Sequence, residues 1–125
     1  MSNVNYSAVV EFASKELSAR ERIMVKDFTN AIKLDTATAD GQPLVITPDY
    51  YAVINVHNDK SDNKDYKKYV IVDKEGNKFV TGSENFFSTF MNIYEEMAGE
   101  QFDISIYQSP SKNYKNKTFL TCSIV

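Results

Sequence analysis

Lysines and a tyrosine are gathered in one polar stretch near the end of the chain, residues 109–117, which reads SPSKNYKNK. From Ile104 to Val125 there are three lysines and no acidic residue, although the formal net charge of the protein is −3. Lysine side chains neutralise phosphates, and aromatic rings stack on bases. This local reversal of charge therefore indicates a surface that contacts phosphates and bases.

Strand patterns on both sides position this stretch. Alternating apolar residues predict one strand from Phe102 to Gln108 and another from Thr118 to Val125, so residues 109–117 form the tip of a hairpin. If the aliphatic side chains of both strands face the core, Tyr107 and Phe119 point outward. The alternatives are rings packed beneath the loop and lysines that are only solvated. The candidate binding residues are Tyr107, Lys112, Tyr114, Lys115, Lys117 and Phe119.

A second basic patch lies in residues 64–69, KDYKKY, where neighbouring aspartates dilute the positive charge. Strand alternation puts Tyr66 and Lys68 on one face and Lys67 on the other, and the sequence leaves open which face is inward. The further candidates for nucleic-acid contact are Tyr66, Lys67 and Lys68.

Metal binding and catalysis find little support in the sequence. His57 is the only histidine and Cys122 the only cysteine, so a zinc site of the usual composition is disfavoured. Asp59, Asp62 and Asp65 lack the glycine and terminal glutamate of a calcium-binding EF-hand loop. Cys122 lies among aliphatic residues, which predicts a buried structural thiol. We therefore expect no catalytic residues, no metal and no cofactor, and a protein that is not an enzyme.

Composition favours a single β-rich domain. The 125 residues are 42% hydrophobic and 25% charged, and the eight tyrosines and eight phenylalanines favour strands. No apolar run approaches the length that spans a bilayer, and no signal-peptide pattern opens the chain. The single cysteine fits a reducing compartment. These features predict a cytoplasmic protein without membrane contact.

The N-terminal residues read differently from the rest. The apolar positions from Ser7 to Leu17 are compatible with an amphipathic helix. Ser18 and Glu21 form a capping-box pattern that starts another helical stretch, and a strand beginning at Val25 is the open alternative. We therefore divide the chain into an N-terminal helical arm, 1–24, and a domain, 25–125.

The domain reads as strands around one helix. Strands are predicted near 31–34, 44–46, 50–57, 66–72 and 78–81, with a hairpin turn at Asp73–Asn77. Ser83 begins a helix that ends at Gly99 and buries one face. The buried positions are Phe86, Phe90, Ile93, Tyr94 and Met97. This mainly β (α+β) order is that of the OB-fold, a five-stranded Greek-key barrel with a helix between strands 3 and 4, although other small folds share it.

Three stretches, YKKYVIVD (66–73), FVTGS (79–83) and SKNYKNK (111–117), carry a family resemblance. The chain resembles the small single-stranded DNA-binding proteins of bacteriophages and conjugative plasmids of Gram-positive bacteria. The resemblance implies an OB-fold and sequence-tolerant binding of single-stranded DNA during replication or transfer in a bacterial host cell, with RNA as an open alternative. Many such proteins end in an acidic tail, which this sequence does not show.

Two further hypotheses concern protein partners. The N-terminal arm is a candidate for self-association along bound DNA. The rival function is a phage or plasmid interaction protein that binds a host enzyme through an acidic helix face. That face carries Glu84, Glu95, Glu96 and Glu100.

Overall fold

The computed structural model describes residues 6–60, 64–110 and 117–125. Within these ranges the chain is mainly β, which confirms the predicted mainly β (α+β) class. The elements in chain order are β1 (Tyr6–Ala13), α1 (Ala19–Lys26), β2 (Ile32–Lys33), α2 (Leu34–Ala37), β3 (Leu44–Ile46), β4 (Pro48–Asn58), β5 (Asp65–Asp73), β6 (Lys78–Thr81), α3 (Glu84–Met97), β7 (Ile104–Pro110) and β8 (Thr118–Ile124).

The strands form two sheets. The larger sheet has the order β1-β4-β5-β6-β2, in which only the β6–β2 pair is parallel. The smaller sheet has the order β3-β7-β8 and is antiparallel. Only Thr47 separates β3 from β4, so the stretch 44–58 takes part in both sheets. Both sheets are open within the described ranges, because the end strands of each sheet, β1 and β2 in the larger and β3 and β8 in the smaller, are not paired with each other.

The larger sheet is buried on both faces. Tyr51 and Val53 of β4 point into a core shared with the smaller sheet and α3, whereas Ala52 and Ile54 point into a second core that α1 helps to cover. This double burial explains why residues 50–56, YYAVINV, are apolar at nearly every position rather than at every second one.

Local signals in the second half of the chain are confirmed. The backbone N–H of Phe86 donates to Ser83 Oγ at 3.2 Å, so Ser83 caps α3 as predicted. Ala98, in the left-handed region at φ 49°, and Gly99, at φ 92°, end the helix. In the 73–77 turn, Asp73 accepts hydrogen bonds from the backbone N–H groups of Glu75 and Asn77.

The helix predicted from Ser7 to Leu17 is wrong, because Tyr6–Ala13 is strand β1. Its residues pair with β4 at the edge of the larger sheet, and a register shift between Val10 and Phe12 places Glu11 at a bulge. The capping box at Ser18 and Glu21 is confirmed, and it starts α1, which settles the open alternative at Val25 in favour of a helix. The division of the chain into an arm, 1–24, and a domain, 25–125, stays a prediction.

The sequence interpretation also missed α2, a single helical turn that directly follows the short strand β2. The part of the chain that the structure describes contains three helices, which differs from the predicted helical arm and single domain helix. Across the described ranges, no helix combines the length and the apolar character that crossing a membrane requires.

Candidate nucleic-acid interface

Tyr107 and Phe119 lie on the same outward face of the smaller sheet. The register of β7 and β8 places Tyr107 opposite Thr121 and Ser109 opposite Phe119, which makes the two aromatic residues diagonal neighbours. The intervening residues Ile106 and Leu120 point the other way, into the core. Phe119 is 45% exposed and Tyr107 is half-buried. The outward orientation follows the alternation read from the sequence.

The surface around these two rings is uncharged. Tyr107 Oη lies 2.8 Å from Ser123 Oγ, a hydrogen bond that fixes the tilt of the Tyr107 ring. Val45, exposed on β3, extends the same face because it pairs with Ser105. We call this surface the aromatic face. It consists of Val45, Ser105, Tyr107, Ser109, Phe119, Thr121 and Ser123.

The basic loop begins at the edge of the aromatic face. Lys117 is exposed and directly precedes β8. Lys112, Tyr114 and Lys115 lie outside the described residues, so their predicted contacts stay predictions.

Helix α2 is hydrogen-bonded to the loop end of the β7–β8 hairpin. Gln108 Nε2 donates to the carbonyl oxygen of Asp35 at 2.9 Å and to Thr38 Oγ1 at 3.1 Å. Thr118 Oγ1 in turn donates to Gln108 Oε1 at 2.5 Å. Thr38 is fully buried, and its hydroxyl donates to the carbonyl oxygen of Leu34. The hairpin and α2 are therefore joined by a short hydrogen-bonded network.

On its other side α2 borders a groove of about 250 Å³, here called the lysine groove. The Asp35 carboxylate accepts a hydrogen bond from Thr81 Oγ1 at 3.2 Å, so Asp35 contacts both the larger sheet and the hairpin. Lys33 and Lys68 supply two positive charges to the groove. Its lining residues are Phe28, Lys33, Asp35, Thr36, Lys68, Val80 and Thr81.

Strand β5 separates the three residues of the second predicted patch. Tyr66 and Lys68 share a face, with Lys68 Nζ 5.9 Å from the centroid of the Tyr66 ring. Lys67 points to the opposite face, where its Nζ lies 3.2 Å from Glu11 Oε2 at the bulge of β1. This hydrogen bond raises the pKa of Lys67. The structure therefore brings Lys68 to the lysine groove and leaves Lys67 away from it.

His57 lies between two carboxylates at the open end of β4. Its Nδ1 is 2.7 Å from Asp65 Oδ1, and its Nε2 is 2.7 Å from Asp59 Oδ1. Hydrogen bonds to Asp65 and then to Asp59 raise the pKa of His57. The two carboxylates lie at opposite nitrogens of the ring and do not converge on a common point. Among the described residues, no group of three or more His, Cys, Asp or Glu is arranged to hold a metal ion.

Cys122 is buried in the core of the smaller sheet, which confirms the prediction of a buried thiol. Burial raises its pKa to about 11, so the nucleophilic thiolate is scarce near neutral pH. Cys122 is therefore a packing residue.

Several residues of the candidate interface were not found from the sequence, among them Lys33, Asp35, Thr36 and Gln108. Lys33 belongs to a strand of two residues and Thr36 to one helical turn, and neither element is long enough to show a periodic pattern. Gln108 was assigned to a strand, but its partners Asp35 and Thr38 are about seventy positions away.

In comparisons with protein-family models, with curated proteins and with solved structures, nothing matches this chain. Function is therefore inferred from the residues and their geometry.

Proposed function

We propose that this protein binds single-stranded DNA without strong sequence preference and without catalysing a reaction. The observation that carries this proposal is the pairing of Tyr107 and Phe119 on one uncharged outward face at the base of a lysine-bearing loop. Bases are held by aromatic rings in a way that tolerates any sequence, because every base offers a π-face. The setting that we propose is replication or transfer of a phage or plasmid in the cytoplasm of a bacterial host.

In this proposal, bases stack on Phe119 and Tyr107 while lysines follow the phosphates. The backbone would run from Lys117 past α2 to Lys68 and Lys33 in the lysine groove. The hydrogen bonds of Gln108 and Thr81 with Asp35 support this path, because they hold the hairpin and the groove at a constant separation. Lys112, Tyr114 and Lys115, which lie outside the described residues, stay candidates for further contacts.

We also propose an OB-type barrel as the finer description of the fold. The stretch 44–58 supports this description. Its first part, β3, pairs with β7 and its second part, β4, pairs with β5, so one long stretch of strand passes from the smaller sheet into the larger. Helix α3 follows β6 and precedes β7, the place of the helix in that fold. Strand β2, rather than β8, pairs with the second edge of β6, so the barrel that we propose is only partly closed.

Strand β1 suggests how copies of the protein associate along DNA. It is an edge strand of eight residues on which Tyr6, Val9 and Phe12 are exposed. Unpaired edges add strands from another chain unless charges, proline or bulges protect them. In β1 the charge and the bulge are both at Glu11, so residues 6–10 keep a regular edge. Self-association would then occur by strand pairing rather than through the helical arm expected from the sequence.

The test is a titration of labelled oligo-dT, followed by fluorescence anisotropy, at low and at moderate salt. Wild-type protein should bind, and its affinity should fall as salt rises, because lysine contacts release counterions from the strand. Phe119→Ala should weaken binding by roughly 1–3 kcal/mol, the range for loss of one stacked base. The matched control is Phe12→Ala, which removes a similarly exposed ring from the far edge of the larger sheet. Both variants are titrated with a short oligo-dT that holds a single copy, because β1 is proposed to contact neighbouring copies on longer DNA.

Absence of binding even at low salt would refute the proposal. Equal affinities of the Phe119→Ala variant, the Phe12→Ala variant and wild type would remove the aromatic face from the binding site. Affinity that does not change with salt would remove the lysine contacts.

A further inference from the structure

A shallow, mostly apolar groove lies between α3 and the end of β8, on the side of the molecule away from the aromatic face. Its volume is about 240 Å³, below the roughly 300–1,000 Å³ of typical small-molecule pockets. One or two aliphatic side chains fit such a space better than a whole small ligand. The lining residues are Asn92, Ile93, Glu96, Met97 and Ile124.

The apolar side chains of this groove are only partly covered. Ile93 and Met97 pack against the main core on one side and line the groove on the other. Ile124 is 50% exposed at the end of β8. An apolar patch bordered by charged residues is the usual composition of a protein-docking surface.

Negative charge borders the groove on α3. The last turn of this helix carries Glu95 and Glu96 with no basic residue, and Glu96 lines the groove. The carboxyl end of a helix already bears partial negative charge, so acidic side chains are unfavourable there and cations are favourable. Within the described residues, neither of these two carboxylates forms an ion pair with a lysine or arginine. The local charge therefore complements a cationic partner.

The groove and the aromatic face lie on opposite faces of β8. Ile124 continues the inward series of Leu120 and Cys122, whereas Phe119 belongs to the outward series. Phosphates are repelled by the carboxylates of α3, so a nucleic acid is disfavoured at this groove. A polypeptide with basic and aliphatic side chains satisfies both the charge and the shape.

We infer that the α3–β8 groove docks a protein segment that inserts aliphatic side chains beside Met97 and Ile124 and places lysine or arginine near Glu95 and Glu96. The rival function based on the acidic helix face thereby gains a specific location. Docking here does not depend on the DNA-binding proposal, because the two surfaces share no residue.

Selection from a random peptide display library against the purified protein tests this inference. Enriched peptides should combine aliphatic residues with lysine or arginine. When one such peptide is synthesised and titrated into isotope-labelled protein, amide shifts should concentrate at Ile93, Met97 and Ile124. Binding should persist when oligo-dT is present in excess.

Two variants locate the site. Ile124→Ser and Glu96→Lys should each weaken the selected peptide by roughly tenfold, the loss of one anchoring contact. The control Glu75→Lys makes the same charge change on the exposed 73–77 turn and should leave the affinity unchanged. Because Glu96 is exposed on the surface of α3, its variant keeps the test valid even if Ile124→Ser impairs folding.

Four results would overturn the inference. The first is a selection whose peptides are not enriched in basic and aliphatic residues, and the second is an equal loss of peptide affinity in Glu96→Lys and Glu75→Lys. The third is displacement of the peptide by oligo-dT, and the fourth is a dimer of the protein that Ile124→Ser abolishes. The last result would assign the groove to a second copy of the chain.

Discussion

Gln108 and Asp35, which are 73 positions apart, are joined by a hydrogen bond of 2.9 Å from Gln108 Nε2 to the Asp35 carbonyl oxygen. The Asp35 carboxylate also accepts a hydrogen bond from Thr81, so a single residue links the β7–β8 hairpin to the larger sheet. The distance between the aromatic face and the lysine groove depends on this link. A strand of DNA that uses both surfaces requires that distance to be constant.

Gln108→Ala should therefore reduce both stability and DNA binding. We expect the free energy of unfolding to fall by about 1–3 kcal/mol, because the side chain takes part in three hydrogen bonds and each typically contributes about 1 kcal/mol net. Urea denaturation measures this change, and oligo-dT anisotropy measures the effect on affinity. Gln42→Ala, at an exposed position just after α2, is the control. Unchanged affinity in Gln108→Ala would show that the hairpin and the groove act separately.

Lys68 and Lys67 are neighbours in sequence but should differ in function. The logarithm of the affinity for oligo-dT should fall linearly with the logarithm of the salt concentration. Lys68→Ala should lower the magnitude of this slope by about 0.7, the value for one lost phosphate contact on a single strand. Lys67→Ala should change the slope less, since Lys67 faces away from the groove and pairs with Glu11. The measurement is affinity against salt concentration for both variants. Equal slopes in the two variants would contradict the assignment of faces.

His57 should make stability depend on pH. The carboxylates of Asp65 and Asp59 raise the pKa of His57 in the folded state. A histidine whose pKa is higher in the folded than in the unfolded protein stabilises the fold. This stabilisation is complete below the unfolded-state pKa of about 6.5, and it is lost as the pH rises through the folded-state pKa. As the pH rises from the unfolded-state pKa through the folded-state pKa, the urea concentration at the midpoint of unfolding should decrease in wild type and vary less in His57→Gln. A folded-state pKa below 6.5, measured from the ring resonances by NMR, would refute the prediction.

The edge strand β1 should mediate contacts between copies of the protein. Val9→Lys places a charge on the exposed edge and should lower cooperativity on long poly-dT while leaving affinity for a short oligo-dT unchanged. Val9 is 59% exposed, and Ile23→Lys on α1, at 67% exposure, is the matched control. Sedimentation with bound DNA reports the association. A wild-type protein that stays monomeric at high concentration with bound DNA would exclude this role.

Features that depend on near neighbours were readable from the sequence alone. The cap at Ser83, the capping box at Ser18 and the turn at Asp73 each use hydrogen bonds between residues two to four positions apart. The apolar stripe of α3 and the outward orientation of Tyr107 and Phe119 follow from the fixed periods of helix and strand. The period missed buried Phe87, and Ile93, Tyr94 and Met97 of the predicted stripe are only partly buried. These local rules also identified the thiol of Cys122 as buried.

The tertiary structure decided what depends on distant partners. Residues 6–13 form a strand because β4 offers a free edge for their backbone groups, a fact that no local pattern contains. The faces of Lys67 and Lys68 depended on which elements cover each side of the larger sheet, and α2 is positioned by Gln108 and Thr81 from far along the chain. The sequence by itself thus determined a β-rich protein with an aromatic, basic hairpin, whereas only the tertiary structure joined that hairpin to the lysine groove. The physical reason is that hydrogen bonds and packing between distant segments form only when the whole chain has folded.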